Sequence, residues 1–190
     1  LMDDLALNSR KGLPDALRVL FAEYPRISWE NDPEFNDLIR FWLDRHLMFR
    51  RIVSEMKNDA QRILDAKLTP PKFTSRLSRY GGIFVQGLNE HHTIEDTYYF
   101  PKLAQHDKRI EAGFDILDKD HHEIDAHINT FVENANAVLN ARDNPTNMRE
   151  NTGKFEADLT QLEQLLDRHL NDEEKLIVPV ILKFGAPNMG

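Results

Sequence analysis

The amino-acid sequence predicts an all-α protein: an antiparallel up-and-down four-helix bundle with a short N-terminal helical extension. Apolar residues recur at helical spacing through four long stretches, whereas the alternating pattern of strands is nearly absent. Proline and glycine fall mostly between those stretches. Four long amphipathic helices with short connections favour antiparallel packing around a shared core.

The predicted elements divide the chain into an extension, a bundle and a tail. Residues 1–32 form the extension, with a short helix at about 13–23, and we expect it to cap one end of the bundle. Asp32-Pro33 is typical of a helix start, and prolines at 70, 71 and 145 mark later breaks. The four bundle helices are expected at about 33–66, 71–105, 109–141 and 147–183. The bundle thus occupies residues 33–184, and residues 185–190 form the tail.

Composition excludes several classes of protein. There is no cysteine, so disulfides, thiolate metal sites, iron–sulfur clusters and cysteine nucleophiles are ruled out. A formal charge of −8 should repel nucleic acid and anionic lipid, and no apolar run reaches the roughly 18 residues of a membrane helix. We therefore expect neither nucleic acid nor a membrane as a partner, and the sequence identifies no protein partner. Leu1-Met2-Asp3-Asp4 lacks the features of a signal peptide, which makes a cytoplasmic location the default expectation.

A histidine interrupts each of the four apolar stripes near its middle. These histidines are His46, His91, His121 and His169, and two of them are followed four residues later by Glu95 and Glu173. Residues four apart lie on one helix face, so each pair presents an imidazole and a carboxylate to one point in the bundle.

Such a convergence of side chains predicts a metal site. A buried carboxylate without a positive partner is costly, and a metal ion offsets that cost because it binds imidazole and carboxylate together. The number of ligands exceeds that of a single tetrahedral zinc and favours two metal ions bridged by carboxylates. The second and fourth predicted helices also share a repeat, because His91, Glu95 and Pro101 recur in the same spacing as His169, Glu173 and Pro179.

The segments that carry these motifs resemble hemerythrin-like proteins, which contain the HHE cation-binding domain. HHTIEDTYYFPKL (91–103) and RHLNDEEKLIVPVIL (168–182) resemble the signature segments of that family, and DRHLMFR (44–50) and KDHHEID (119–125) resemble its shorter histidine segments. The resemblance covers roughly residues 33–184. It implies a four-helix bundle with a non-haem di-iron centre, in which two carboxylates and an oxo or hydroxo group bridge two iron ions. The ligands that it implies are His46, His91, Glu95, His121, His169 and Glu173.

The ligand set on the third predicted helix stays open at this stage. Oxygen-carrying relatives have a second histidine four residues after the first, where this chain has Asp125. We favour Asp125 as the seventh ligand, since it lies one turn after His121, over His122; water in an open position is the other alternative. His92 is turned about 100° from His91 and is expected to be exposed or to lie behind the ligands. A site with only four histidines should stabilise ferric iron and disfavour reversible oxygen carriage.

Three functions are compatible with such a site. The first hypothesis is a di-iron protein that binds or senses a small ligand: dioxygen or a related oxidant such as nitric oxide or peroxide. The second is an enzyme, a di-iron peroxidase or oxidase that activates oxygen. The third is iron storage or iron sensing by a bundle whose fold depends on iron. The identity of the ligands does not decide whether the protein is an enzyme.

Overall fold

The structure, a computed structural model, describes residues 5–188 and is all-helical over that range, as predicted. Residues 1–4 (Leu1-Met2-Asp3-Asp4) of the predicted extension and residues 189–190 of the predicted tail lie outside the described residues. The helices are α1 (Val19–Glu23), α2 (Asp37–Leu64), α3 (Pro70–Ile94), α4 (Phe100–Leu103), α5 (Glu111–Asn140) and α6 (Pro145–Phe184). Short 3₁₀ turns lie at Asp15–Leu17, Arg26–Asn31 and Ala104–His106. None of the helices in the described range has the length and apolar character that a membrane span requires.

The helix α2 begins later than the sequence pattern predicted. Asn36 caps it, because the Asn36 Oδ1 accepts a hydrogen bond from the Ile39 N–H at 3.1 Å. The expected cap, Asp32, instead accepts a hydrogen bond from the Glu34 N–H at 2.9 Å and closes a local turn. The start that we predicted at Asp32-Pro33 is therefore wrong. Both positions carry residue types that can cap a helix, and the sequence does not separate them.

The helix predicted at about 71–105 is interrupted by a π-helical turn, Glu95–Tyr99. In this turn the Phe100 N–H donates to the carbonyl of Glu95, and the chain continues as α4. Single π turns inside α-helices occur frequently at functional sites. Pro179, the counterpart of Pro101 in the sequence repeat, lies inside the continuous helix α6. The two copies of the repeat therefore differ in local structure.

The described residues form two compact units, and each unit combines separate stretches of the chain. The first unit comprises residues 5–47, 91–122 and 167–188. Its apolar core includes Trp42, Phe114 and Leu176, together with Leu13 and Trp29 from the N-terminal segment. The N-terminal segment, residues 5–31, is thus part of this core. The antiparallel order of the long helices stays a prediction.

The second unit comprises residues 48–90 and 123–166. Its core combines aliphatic side chains with several phenylalanines. The ring centroid of Phe131 lies 5.5 Å from that of Phe84 and 5.6 Å from that of Phe155. These rings meet at the spacing that favours edge-to-face and tilted aromatic contacts.

Candidate metal centre

Seven buried side chains of the first unit form two groups of potential metal ligands. The first group contains His46, His91, Glu95 and Glu173, and the second contains His92, His121 and His169. Within each group the candidate ligand atoms all lie within 4.8 Å of one another. All seven residues are at most 7% exposed. We call the histidines of the two sets, His46 with His91 and His92 with His121 and His169, the first and second ligand groups, and describe the two carboxylates separately.

The four long α-helices and the π turn carry the seven side chains. His46 lies on α2, His121 on α5, and His169 and Glu173 on α6, while His91 and His92 lie in the last turn of α3 and Glu95 begins the π turn. The six predicted ligands among them continue the apolar stripes of their helices, so the burial of each stripe carries these polar groups into the interior.

The Glu95 carboxylate lies between the two ligand groups. Its Oε1 is 2.8 Å from the His91 Nε2, and its Oε2 is 3.4 Å from the His121 Nε2. The Nε2 atoms of His46 and His91 lie only 3.0 Å apart, so both nitrogens point to one position. Glu95 therefore presents one oxygen to each ligand group.

Glu173 has the same relation to both groups. Its Oε1 is 3.1 Å from the His46 Nε2, and its Oε2 is 3.2 Å from the His169 Nε2. The indole N–H of Trp42 donates a hydrogen bond to the Oε1 at 2.5 Å. This contact fixes the orientation of the carboxylate without using the oxygen that faces His169.

Several atoms at the centre of this cluster lack a hydrogen-bond partner within the described residues. They are Nδ1 and Nε2 of His92, Oε1 and Oε2 of Glu95, Nε2 of His121, Nε2 of His169, and Oε2 of Glu173. Buried polar atoms are nearly always satisfied, so such a concentration requires an explanation. The atoms are nitrogen and oxygen lone-pair donors around one location. This set of donors fits a pair of cations.

Carboxylates hold three of the histidines from behind. Each of these histidines has its Nδ1 beside a carboxylate oxygen, which accepts the ring N–H and leaves Nε2 as a lone-pair donor. The pairs are His46 with Glu174 at 2.9 Å, His121 with Asp96 at 2.7 Å, and His169 with Asp120 at 3.0 Å. The tautomer that binds a metal through Nε2 is therefore built into the protein.

In the metal-free cluster the pKa values of the two carboxyl groups, Glu95 and Glu173, are shifted in opposite directions. Burial, and then the charge of Glu173, raise the pKa of Glu95 well above its usual value. Burial also acts to raise the pKa of Glu173, but the neighbouring His46 and His169 outweigh it and hold that pKa well below its usual value. One carboxyl group is thus held neutral beside an ionised one, as expected for two acids that share a small volume.

The histidines also differ from one another in the direction of their pKa shifts. Burial lowers the pKa of His91 to about 3 and lowers that of His92 well below its usual value. Burial also acts to lower the pKa of His169, but the hydrogen bond to Asp120 and the nearby Glu173 carboxylate outweigh it and raise the pKa to about 9. His91 and His92 are therefore neutral and ready to bind a metal, whereas His169 must first lose a proton.

The structure brings together six of the seven side chains that the sequence predicted as ligands. They are His46, His91, Glu95, His121, His169 and Glu173. Asp125 is exposed and belongs to neither ligand group. Four residues advance a helix by slightly more than one turn, and at this position that rotation leaves the carboxylate in solvent. The side chain of His122, the rival of Asp125, is 79% exposed.

His92 was not among the predicted ligands and was expected to be exposed or to lie behind them, whereas the structure buries it in the second group of potential ligands. Its ring is stacked on that of His121 with centroids 3.8 Å apart. A signal was available, because His92 precedes Glu95 by three residues, a spacing that also places two side chains on one helix face. The predicted ligands rested on the spacing of four residues alone.

Fold and site together define an all-helical protein with a buried cluster of histidines and carboxylates suited to cations. The family model for the hemerythrin HHE cation binding domain matches residues 37–181. The chain belongs to this family. No curated protein matches the chain significantly, and no solved structure does.

Proposed function

We propose that the protein holds two iron ions and uses them to bind dioxygen or a related small oxidant. One ion would be held by His46 and His91, and the other by His92, His121 and His169. Glu95 and Glu173 would bridge both ions. The observation that carries the proposal is the placement of these two carboxylates, each with one oxygen toward each ligand group.

The chemistry of the donors favours iron. Imidazole and carboxylate together suit a metal that alternates between the ferrous and ferric states, and thiolates, which select other metals, are absent from the chain. With His92 included, the set has five histidines. A site of five histidines would not disfavour reversible oxygen binding in the way that a site of four is expected to. When bound, the iron pair supplies electrons and a coordination position for the small oxidant.

The protein's own residues prepare this site. Trp42 holds Glu173 through its indole N–H and packs its edge on the His91 ring, with centroids 6.0 Å apart. The Phe100 ring is stacked on His121 at 5.4 Å and is itself buried. These apolar rings exclude water from the ligand groups, which strengthens every electrostatic contact inside.

Iron content and air exposure test the proposal together. Metal-free protein reconstituted anaerobically with ferrous iron should retain about two ions per chain. The variants Glu95→Gln and Glu173→Gln should retain fewer. Glu163→Gln, which removes a carboxylate paired with Lys57 in the second unit, is the matched control and should retain both. Fewer than one ion per chain in the wild type would contradict the proposal.

The absorption spectrum after air is admitted distinguishes the candidate functions. A spectrum that changes in air and returns when oxygen is removed indicates reversible binding. A permanent change that only an added electron donor reverses, with repeated consumption of peroxide, indicates a peroxidase. Uptake of iron well beyond two ions per chain would indicate storage.

A further inference from the structure

The N-terminal segment contacts the carboxylates that hold the histidines. Arg10 and Arg26, two arginines of this segment, each pair with a different carboxylate of that set. We had expected the segment to cap one end of the bundle, and these contacts connect it to the ligand groups as well. The two contacts differ in the burial of the arginine and in the ligand group whose histidine the carboxylate holds.

Arg10 lies behind the second ligand group. Its guanidinium is 1% exposed and bonds to both oxygens of Asp120, with Nη1 at 2.7 Å from Oδ1. Its Nε donates to the Asp172 Oδ2 at 2.8 Å. Asp120 in turn accepts the Nδ1–H of His169. A planar guanidinium can hold both carboxylates at once in this geometry.

Arg26 lies behind the first ligand group. It forms an ion pair with the Oε2 of Glu174, whose other oxygen is bonded to the Nδ1 of His46. The side chain of Arg26 is 52% exposed, whereas that of Glu174 is 3% exposed. Its guanidinium also lies over the Trp29 ring, 4.7 Å from the centroid, which restricts its motion.

We propose that Arg10 and Arg26 are positioning residues of the metal centre, and that each acts on a different metal ion. Arg10 acts through Asp120 on His169, and Arg26 acts through Glu174 on His46. The inference rests on the proposed function, since it requires two metal ions. In this proposal the N-terminal segment, residues 5–31, helps to position the metal ligands.

The physical reason lies in the carboxylates. Without Arg10, Asp120 and Asp172 would be buried without their cation, which is costly enough to displace them from their present positions. Displacement of Asp120 breaks its hydrogen bond to the Nδ1 of His169 and frees the imidazole ring to rotate. Loss of such an outer partner lowers metal affinity by about 10- to 100-fold. The effect of Arg26 should be smaller because solvent screens a half-exposed guanidinium.

Release of iron to a chelator tests the proposal. Arg10→Met and Arg26→Met keep the length of the side chain and remove its charge. Arg18→Met is the control, because Arg18 lies in the same segment but pairs with Asp15. Each protein is loaded anaerobically with ferrous iron and mixed with excess ferrous chelator, and released iron is followed over time. The helical circular dichroism of each metal-free protein is measured in parallel.

One of the two irons should leave Arg10→Met about ten times faster than it leaves the wild type, and the other at the wild-type rate. Arg26→Met should also release one iron faster, by a smaller factor. The variant with both changes should release both irons quickly, and Arg18→Met should match the wild type. Arg10→Lys keeps the charge but not the planar fork, and should lie between the wild type and Arg10→Met.

Three results would overturn the proposal. The first is wild-type release from both arginine variants. The second is one slow iron in the doubly changed protein, which would mean that both arginines act on the same ion. The third is equal acceleration of both irons in Arg10→Met or, if that variant does not fold, in Arg10→Lys, which indicates general destabilisation. If the wild type retains no iron, the proposed function fails instead.

Discussion

Replacing His92 by leucine should change the stability of the metal-free and the metal-loaded protein in opposite directions. The ring of His92 is buried, and burial keeps it neutral by lowering its pKa. Neither ring nitrogen has a hydrogen-bond partner within the described residues. A buried polar atom left without a partner costs about 1–3 kcal/mol. Leucine removes that cost at both nitrogens.

The expected gain in the metal-free protein is the difference between two terms. Leucine loses the stack of His92 on His121, in which the rings are 3.8 Å apart and inclined by 12°. Such an aromatic pair is worth about 0.5–1.5 kcal/mol beyond its buried area. The middle of each range, about 4 kcal/mol for the two nitrogens less about 1 kcal/mol for the stack, leaves a net stabilisation of about 3 kcal/mol. In a chain of this size each kcal/mol raises the melting temperature by about 2–4 °C.

Metal loading should reverse the order. A ligand that binds only the folded state stabilises it, by about 4 kcal/mol when its concentration is a thousand times its dissociation constant. His92→Leu should lose the ion of the second ligand group and with it this stabilisation. The loaded variant should therefore melt below the loaded wild type, although the metal-free variant melts above the metal-free wild type.

Calorimetric melting of both proteins, with and without iron and with the iron content measured, checks this reversal. His122→Leu is the control, because its exposed ring neighbours the same ligand group and should affect neither form. If metal-free His92→Leu melts lower than the wild type and the loaded variant keeps two irons, His92 is an ordinary core histidine. The assignment of five histidine ligands would then be wrong.

Two further predictions concern protons and the exposed acid. His169 has a pKa near 9 in the metal-free protein and must release its proton to bind metal, so the apparent affinity should rise with pH and level off above about 9. Calorimetric titration in buffers of different ionisation enthalpy counts the protons released, to which the neutral Glu95 also contributes, and release of none at pH 7 would contradict the reasoning. Asp125→Ala should keep two irons by elemental analysis, whereas loss of an ion would restore Asp125 as a ligand.

The sequence predicted the helices well where their amphipathic stripes are long. The helix expected at about 109–141 is α5, Glu111–Asn140, and the one expected at about 147–183 is α6, Pro145–Phe184. Periodicity specifies such helices because many residues contribute to each stripe. The start of α2 and the π turn depend on one or two residues each, and a pattern averaged over many residues does not reveal them.

The ligands were predictable from spacing, whereas the residues behind them were not. Histidine and glutamate four residues apart mark the inner face of a helix, and that rule found both carboxylates that lie between the ligand groups. Asp120 and Asp172 gain their role from Arg10, which is more than 100 residues away from either in the chain. No local pattern connects residues so distant. The same holds for Arg26 and Glu174.

The sequence repeat nevertheless contained more of the site than the two pairs of ligands. In each copy a second acid follows the glutamate that lies between the ligand groups: Asp96 after Glu95, and Glu174 after Glu173. Each second acid is bonded to the Nδ1 of a histidine on another helix, Asp96 to His121 and Glu174 to His46. One copy achieves this in a π turn and the other in a regular helix. The two adjacent acids thus have different tasks. The first faces the metal position, and the second orients a histidine of the ligand group to which the histidine of its own copy does not belong. This division explains why both copies carry two acids in a row, although only one of each pair can reach the centre.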